Sequence, residues 1–385
     1  MPDSFSLYVH IPYCVSKCPY CDFNSHVAPR IPEEEYTRAL LLELRHRSKT
    51  EAWANRSVRT IFFGGGTPST FEGTSIGAVL DQAAKLFGFD EAAEITLEAN
   101  PGAVDSARFR DYRRCGVNRI SIGAQSFDPE LLRFLGRVHG AEETRQALRS
   151  VRDAGFDNFS LDLIYGIPGQ TVDGVGRDLS QALQHEPPHL SAYNLTIEEG
   201  TPFHARYRQG LLKPLDEEVE IEMADRIQRT LADAGLERYE ISNYARPGLE
   251  SRHNLNYWEG GDYLGIGAGA HSHHRRPDDP LGDRWQNERS PAGYMRLTRE
   301  AGHAVTERER PDPRQAMSEC LFTGLRMIGG VSVAGFERRF GTRPEDAFPE
   351  IADWLSEELL VEENQHLRFG PRGLLLANEL FVRLV

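Results

Sequence analysis

Short apolar runs and longer amphipathic stretches alternate along the first 240 residues of the chain. The short runs are rich in β-branched and aromatic residues and predict strands at 6–10, 60–63, 94–98, 119–123, 158–164 and 189–194. The stretches between them predict helices at 33–47, 75–87, 141–154 and 173–184. Repeated strand–helix units predict an α/β fold with a parallel sheet, either a barrel or a doubly wound sheet. In both architectures, functional residues gather at the C-terminal ends of the strands.

The helix predicted at 33–47 has an imperfect apolar stripe. Tyr36, Ala39, Leu40 and Leu44 fall at positions i, i+3, i+4 and i+8 of a helical repeat. Glu43 occupies the i+7 place, where a further apolar residue would complete the stripe.

Beyond residue 240 the regular alternation ends. The last long helix before this point is predicted at 216–234. After it, the Gly- and His-rich stretch 252–272 has little helical or strand periodicity. The polar stretch 275–290 carries prolines and a glycine and predicts a loop. The tail, 313–385, predicts two or three helices, a hairpin at 359–369 and a closing apolar run.

These patterns divide the chain into three parts. We expect a β/α barrel at 1–240, a connecting segment at 241–305, and a smaller, mostly helical, winged-helix-like domain at 306–385. The stretch 316–385 holds 7 basic and 11 acidic residues, which weighs against DNA binding and favours a lid or a docking surface.

Charge and composition narrow the classes of partner. The 385 residues include 44 basic and 58 acidic ones, so the net charge of −14 argues against nucleic acid or an anionic membrane. No apolar run is long enough to span a bilayer, and residues 1–10 lack a signal-peptide pattern, so we expect a soluble cytoplasmic protein. Five cysteines fit a reducing compartment, and the isolated Cys115 and Cys320 fit buried core thiols.

The other three cysteines are crowded into eight residues. Cys14, Cys18 and Cys21 have the spacing C-x3-C-x2-C directly after the first predicted strand. Thiolates select zinc, Cu(I) or iron–sulfur clusters. A structural zinc site takes four ligands, and only His10 and His26 lie nearby, unevenly placed. The count of three favours a [4Fe–4S] cluster with one open iron, and a small zinc knuckle is the alternative.

Polar residues also follow the later strands. The segment 64–68, Gly-Gly-Gly-Thr-Pro, comes after the second strand, where glycines allow close approach of a ligand. Glu98 ends the third strand, Gln125 ends the fourth and precedes Arg137, and Asp162 lies within the fifth. Buried carboxylates are costly unless they are bonded, so an arginine-paired structural network is one interpretation of the two acids. Their recurrence at strand ends favours a binding site.

The cysteine spacing and the β/α repeat resemble the radical S-adenosylmethionine (SAM) superfamily. The resemblance implies a partial, TIM-like (β/α)6 barrel with a smaller C-terminal domain. It also implies that the open iron of the cluster binds the amino and carboxylate groups of SAM. An electron from the cluster cleaves SAM to a 5′-deoxyadenosyl radical in that family, which implies a donor such as a flavodoxin or ferredoxin.

Five segments, 8–14, 64–68, 98–101, 123–126 and 162–166, resemble the oxygen-independent coproporphyrinogen III oxidase branch of this superfamily. The resemblance runs from about residue 7 to residue 385. In it, Arg137 pairs with the SAM carboxylate and Asp162 accepts from the ribose hydroxyls. The SAM contacts that it implies are Tyr8, Tyr20, Gly65, Gly66, Thr67, Glu98, Gln125, Arg137, Asp162, Thr196 and His271.

Two departures from the oxidase point to another member of the branch. The oxidase has a fourth cysteine two positions after the third, where this chain has Phe23, and a longer segment before the first strand. The segment 253–258, His-Asn-Leu-Asn-Tyr-Trp, resembles the HNxxYW signature of the HemW-type heme chaperones. That resemblance implies binding of heme, beside the cluster and SAM, and its transfer to an acceptor protein. We assign no catalytic residue.

Heme contacts are predicted from residue chemistry. Neutral imidazole is a common axial ligand of heme iron, aromatic faces pack on porphyrin, and arginine binds propionate. The candidates are His253, Asn254, Tyr257 and Trp258, with His271, His273 and His274 as alternative ligands and Arg252 or Arg275 for a propionate. A structural turn that packs at the barrel edge is the alternative interpretation of this segment. Two other functions stay open: the coproporphyrinogen oxidase itself and a zinc-stabilised, non-catalytic binding protein.

Overall fold

The computed structural model describes residues 4–103, 105–276 and 278–384. In this part of the chain the strands are β1 Ser4–Ile11, β2 Tyr13–Cys14, β3 His26–Val27, β4 Ser57–Gly65, β5 Phe89–Ala99, β6 Arg119–Gln125, β7 Phe159–Tyr165, β8 His189–Asn194, β9 Glu237–Arg238, β10 Asn243–Ala245, β11 Tyr263–Ile266, β12 His271–His274, β13 Asp283–Asn287, β14 Val305–Glu309, β15 Val331–Ser332, β16 Leu360–Glu363 and β17 His366–Phe369.

The α-helices are α1 Glu33–Arg47, α2 Gly73–Phe87, α3 Ser106–Arg114, α4 Pro129–Phe134, α5 Ala141–Asp153, α6 Val172–Leu183, α7 Pro202–Arg208, α8 Glu217–Asp233, α9 Arg252–Trp258, α10 Pro291–Ala301, α11 Pro313–Gly324, α12 Val333–Phe340, α13 Pro344–Ala347, α14 Glu350–Ser356, α15 Pro371–Leu375 and α16 Ala377–Leu384. Short 3₁₀ helices cover Pro68–Thr70 and Pro101–Ala103.

Six parallel strands form the centre of a twelve-stranded sheet, in the order β1-β4-β5-β6-β7-β8. All six predicted strands are confirmed, most of them with longer ends. On its other side β1 pairs with β11, and β8 pairs with β10. The barrel is therefore open between β1 and β8, which confirms the partial (β/α)6 barrel.

Strand β1 illustrates how the side chains are divided between the two faces of the sheet. Phe5, Leu7 and Val9 are completely buried, in the apolar layer under the helices. Tyr8 and His10 alternate with them and therefore point into the barrel. Strand β1 thus presents polar aromatic side chains to the barrel interior, next to the cysteine loop.

The predictions for 252–272 and 275–290 are partly wrong. The first stretch holds helix α9 and strands β11 and β12, and the predicted loop contains strand β13. Strand β11 lies parallel to β1, more than 250 residues away in the chain, with Leu7 opposite Leu264. Strands β12, β13 and β14 continue the sheet in antiparallel order. Such pairing over long sequence distances leaves little periodicity in a short local window.

The tail forms a second hydrophobic core. Leu321, Phe336, Trp354 and Leu367 belong to this core, which includes helices α11, α12 and α14 and strand β17. The predicted hairpin at 359–369 is confirmed as β16 and β17, but six helices, α11 to α16, replace the two or three predicted. The boundaries predicted at 240 and 305 remain predictions.

Two further expectations can be compared with the structure. Among the described residues, every helix is too short or too polar to cross a bilayer. Cys115 and Cys320 are half-buried rather than fully buried, and Cys115 directly follows the end of α3. The Cys115 thiol donates a hydrogen bond to the Tyr112 carbonyl oxygen.

Candidate functional site

A cavity of about 420 Å³ opens near the C-terminal ends of β1, β4 and β5. This is the edge at which barrel folds place their sites. Its volume lies within the range of small-molecule pockets. Its walls are formed by Tyr8, His10, Phe23, Asn24, Phe62, Gly65, Glu98, Tyr257, Tyr263, Gly269, His271, Gln286 and Arg289.

The cysteine loop connects β2 and β3 beside this cavity. Each of its three thiols has a polar neighbour: Thr67 Oγ1 donates to Cys14 Sγ at 3.5 Å, and Arg137 Nη1 donates to Cys18 Sγ at 3.5 Å. Ser25 Oγ lies 4.0 Å from Cys21 Sγ. Hydrogen bonds to sulfur are the usual means of tuning an iron–sulfur cluster.

Burial affects two of the three cysteine thiols. It raises the pKa of the Cys14 and Cys21 thiols, so both are held as neutral thiols until a cation replaces the proton. In the described part of the chain, no group of three or more His, Cys, Asp or Glu side chains is arranged to hold a metal ion.

Arg137 provides an anion-binding group next to the loop. Its Nη2 donates to Asn100 Oδ1 at 2.5 Å and to the Gly123 carbonyl oxygen at 3.0 Å, so the guanidinium is fixed in place. Its Nε is buried and has no hydrogen-bond partner among the described residues. Gln125, nearby, has a positive φ of 67°, an uncommon conformation that is concentrated at functional sites. An orphaned guanidinium donor fits the carboxylate of a bound ligand.

Glu98 borders the cavity and accepts a hydrogen bond from the Gly65 amide at 3.3 Å. Burial, together with the charge of Asp162, raises its pKa to about 8. Gly65 has a φ of 113°, and a Cβ there would collide with the His10 ring. Only glycine therefore permits the close contact between the second strand end and the barrel interior.

Asp162 lies at the centre of a serine network. Its carboxylate accepts hydrogen bonds from Ser121 at 2.7 Å, Ser160 at 2.9 Å and Ser191 at 2.7 Å. Burial raises the pKa of the carboxyl group and the serines lower it. Among the described residues, neither Glu98 nor Asp162 forms an ion pair with an arginine, so the arginine network considered from sequence is not observed.

His253 lies in helix α9, and its side chain is completely buried. Its Nδ1 lies 2.8 Å from Thr60 Oγ1, and its Nε2 lies 3.0 Å from the Tyr257 hydroxyl. Phe62 stacks on the ring at a centroid distance of 5.1 Å. Burial lowers the pKa of His253 to about 3 and keeps it neutral. Iron binding by His253 stays a prediction, and it requires a ring nitrogen to give up its present partner.

The other heme candidates are divided between the cavity and its surroundings. Tyr257 faces the cavity, whereas Asn254 and Trp258 do not border it. Arg326 covers one face of the Trp258 ring at 4.5 Å, on the side of the tail domain. Arg252 donates to the Ala92 carbonyl oxygen, at the start of β5 and away from the strand ends.

The remaining predicted residues are placed as follows. Tyr20 packs against Phe203, at a centroid distance of 6.2 Å. Thr196 is exposed just beyond β8, and His271 borders the cavity. His273 Nδ1 contacts the Gly261 carbonyl oxygen, and His274 and Arg275 are tied to Asp262, through Nδ1 and through the backbone amide. Gly66 and Thr67 lie against the backbone of the cysteine loop.

Several cavity residues were not predicted. Phe62 and Tyr263 supply aromatic surface, and Gln286 and Arg289 lie in the stretch predicted as a loop. His10 also lines the cavity, whereas the sequence marked it only as a histidine near the three cysteines. The alternation Tyr8–Val9–His10 within β1 was the available signal, because two residues apart on a strand share one face.

Comparisons with known proteins cover most of the chain. A protein-family model described as the radical SAM superfamily matches residues 8–182, and one described as the HemN C-terminal domain matches residues 312–376. The heme chaperone HemW of Escherichia coli is 38% identical over 97% of this chain and 96% of its own length. The HemW of Bacillus subtilis is 33% identical over 98% of both chains.

Two further matches extend the similarity. The mitochondrial radical S-adenosyl methionine domain-containing protein 1 of Mus musculus is 34% identical, over 99% of this chain and 87% of its own. Among solved structures, the coproporphyrinogen III oxidase HemN of Escherichia coli superimposes with a TM-score of 0.82, over 100% of this chain and 90% of the other. At 24% identity, that superposition establishes the fold alone.

Proposed function

This chain belongs to the HemW family of the radical SAM superfamily, and from that membership we propose that it binds heme and delivers it to an acceptor protein. The observation that carries the proposal is similarity to heme chaperones over essentially the whole chain, 97% of it at 38% identity. The cavity agrees with it, because Phe62, Tyr257 and Tyr263 offer flat apolar surface for a porphyrin.

We propose that Cys14, Cys18 and Cys21 hold a [4Fe–4S] cluster and that SAM binds beside it. When bound, the cluster supplies an electron to SAM. Thr67 and Arg137 donate to the cysteine sulfurs, and the unpartnered Arg137 Nε is available to the SAM carboxylate. The Asp162 carboxylate has capacity for ribose hydroxyls beyond its three serine bonds.

Coproporphyrinogen oxidation is the second candidate, favoured by the fold shared with HemN. Phe23 argues against it, because the oxidase carries a cysteine at this position of its loop. The Phe23 side chain is 61% exposed and borders the cavity, so it contributes apolar surface where the oxidase has a thiol. A zinc-stabilised binding protein is the third candidate, and the count of three cysteines argues against it, because a structural zinc site takes four ligands.

Partners and compartment are part of the same proposal. The proposed protein partners are a heme acceptor and an electron donor such as a flavodoxin or ferredoxin. The proposed location is the cytoplasm. The net charge of −14 is unsuited to nucleic acid.

The test is a side-by-side assay of the anaerobically reconstituted full chain. One sample receives heme and is followed by its Soret band, and then receives an apo-hemoprotein. The other receives coproporphyrinogen III, SAM and a reductant, and vinyl products are measured. We expect saturable heme binding, transfer to the acceptor, and no vinyl product.

The controls separate the three candidates. The triple variant Cys14→Ala, Cys18→Ala, Cys21→Ala should lose iron while the far-UV dichroism stays unchanged. Vinyl products from the unmodified chain would establish the oxidase instead. Stoichiometric zinc without iron in the purified protein would remove the cluster from the proposal.

A further inference from the structure

The cavity has a rim contributed by the antiparallel strands rather than by the barrel. His271 begins β12, Gln286 lies opposite it on β13, and Arg289 follows β13. The floor, with Tyr8 and Glu98, comes from the parallel strands. Most side chains that the family resemblance assigns to SAM lie on the floor or around the cysteine loop. His271 also belongs to that set, but it lies on this rim, where Arg289 adds a second basic group.

His271 presents an open imidazole at this rim. Its side chain is exposed, and among the described residues its ring nitrogens have no hydrogen-bond partner. Partial desolvation of the ring at the cavity mouth and the neighbouring Arg289 charge lower its pKa, so the ring is neutral at pH 7 and keeps a free lone pair. His253 differs, because both of its ring nitrogens are already bonded and its ring is enclosed.

Arg289 supplies a free guanidinium beside that imidazole. Its side chain is exposed and forms no ion pair or hydrogen bond within the described ranges. Its backbone is fixed, because Asn24 Nδ2 donates to the Arg289 carbonyl oxygen at 2.9 Å and to the Ala268 carbonyl oxygen at 3.0 Å. The rim and the cysteine loop are thereby tied together by one side chain.

Four aromatic side chains add apolar surface to the walls of the cavity below this rim. Phe23 is 61% exposed, which is high for so large an apolar side chain. Phe62, Tyr257 and Tyr263 line the same cavity, and Tyr257 packs edge-on against Tyr263 at a centroid distance of 4.7 Å. Heme matches this arrangement of groups, because it is flat and apolar, with iron at its centre and two propionates at its edge.

We propose that His271 is the axial ligand of the heme iron and that Arg289 binds a heme propionate at the rim of this cavity. The inference rests on the proposed heme-binding function and assigns its site. It makes His253 a positioning residue, which holds Tyr257 in the cavity wall through the 3.0 Å contact between Nε2 and the tyrosine hydroxyl.

The first test is spectroscopic. Ferric heme is titrated into the full chain and into His271→Ala, His253→Gln and the surface control His366→Ala. Low-temperature EPR and magnetic circular dichroism identify the axial ligand. We expect His271→Ala to lose the histidine signature, with about 10-fold weaker binding or more. Millimolar imidazole should restore the signature in that variant alone.

The other outcomes are decisive as well. A histidine signature that survives in His271→Ala overturns the inference, and its loss in His253→Gln with unchanged melting would assign the iron to His253. Absence of heme binding by the unmodified chain would refute the proposed function itself. Failure of the function and failure of the inference are therefore read from different samples.

The second test addresses Arg289. Heme and heme dimethyl ester, whose propionates are blocked, are titrated into the unmodified chain, Arg289→Ala and the exposed control Arg299→Ala. A charge-assisted bidentate contact predicts about 10-fold tighter binding of the free acid by the unmodified chain. We expect Arg289→Ala to abolish this preference and Arg299→Ala to retain it. A preference that persists in Arg289→Ala overturns the assignment.

Discussion

Glu98 is a carboxyl group held where its neutral form is favoured. Its pKa is raised from 4.5 to about 8 by burial and by the charge of Asp162. The Gly65 amide donates to it and opposes that shift. The group therefore carries a proton at neutral pH and can donate a hydrogen bond into the cavity that it borders.

This shift predicts a dependence of stability on pH. Because the pKa of Glu98 is raised in the folded state, this residue does not lower the free energy of unfolding below the unfolded pKa of about 4.5. Its destabilising contribution grows as the pH rises from there to about 8. Urea unfolding of cluster-free protein should therefore show Glu98→Gln gaining stability over the unmodified chain between pH 5 and pH 8. Above about pH 8 the difference should level off.

A matched variant controls for the substitution itself. Glu34→Gln removes an exposed carboxyl group from helix α1, and its effect should stay flat across the same pH range. An equally flat profile for Glu98→Gln would contradict a raised pKa.

At the residue scale, the sequence predicts those groups that stand at fixed places in a repeating pattern. Glu98 and Gly65 stand at strand ends of the predicted β/α repeat, and the C-terminal ends of parallel strands lie at one edge of the sheet, so their proximity could be predicted. Arg289 was missed because no local pattern marks a residue after a short antiparallel strand in a polar stretch. Iron binding by His253 stays a prediction, and its motif does not reveal that both ring nitrogens have partners inside the protein.

At the element scale, helix α1 anchors the rim of the cavity. Glu43, completely buried, accepts from the Arg47 guanidinium at 3.2 Å and from the Tyr294 hydroxyl at 2.8 Å. It also accepts from the Asn287 side chain and from the Gly267 amide. Glu43, which interrupts the apolar stripe of α1, is thus the residue that connects α1 to α10, to β13 and to the loop before β12.

Removing this charge should loosen the anchor. Glu43→Gln leaves Arg47, whose side chain is only 6% exposed, as a buried cation without its counter-charge. Loss of one partner of a buried pair costs about 3–5 kcal/mol, so urea unfolding should register a decrease of that order. Glu34→Gln on the same helix, whose side chain is 93% exposed, should change stability by less than about 0.5 kcal/mol. Equal effects of the two variants would exclude the anchoring role.

At the scale of the whole molecule, the barrel and the tail domain meet at a joint formed by residues 239–241, 258 and 326–328. The Ile241 amide donates to the Arg326 carbonyl oxygen, and the Ile328 amide donates to the Tyr239 carbonyl oxygen, each at 3.0 Å. The Arg326 guanidinium covers the Trp258 ring at 4.5 Å. The β/α core could be predicted from the sequence because its units are local, whereas this joint brings together backbone and side-chain groups of three distant segments.

The joint gives Trp258 a structural role that competes with heme contact. A half-buried cation–π pair contributes about 1–2 kcal/mol, so a double-mutant cycle of Trp258→Leu and Arg326→Met should yield a coupling energy of that size in urea unfolding. Hydrogen exchange of α11 should rise in both single variants, because α11 packs beside α9. The heme spectrum should stay unchanged in Trp258→Leu, since Trp258 does not border the cavity. Additive energies together with an altered Soret band would instead place Trp258 against the porphyrin.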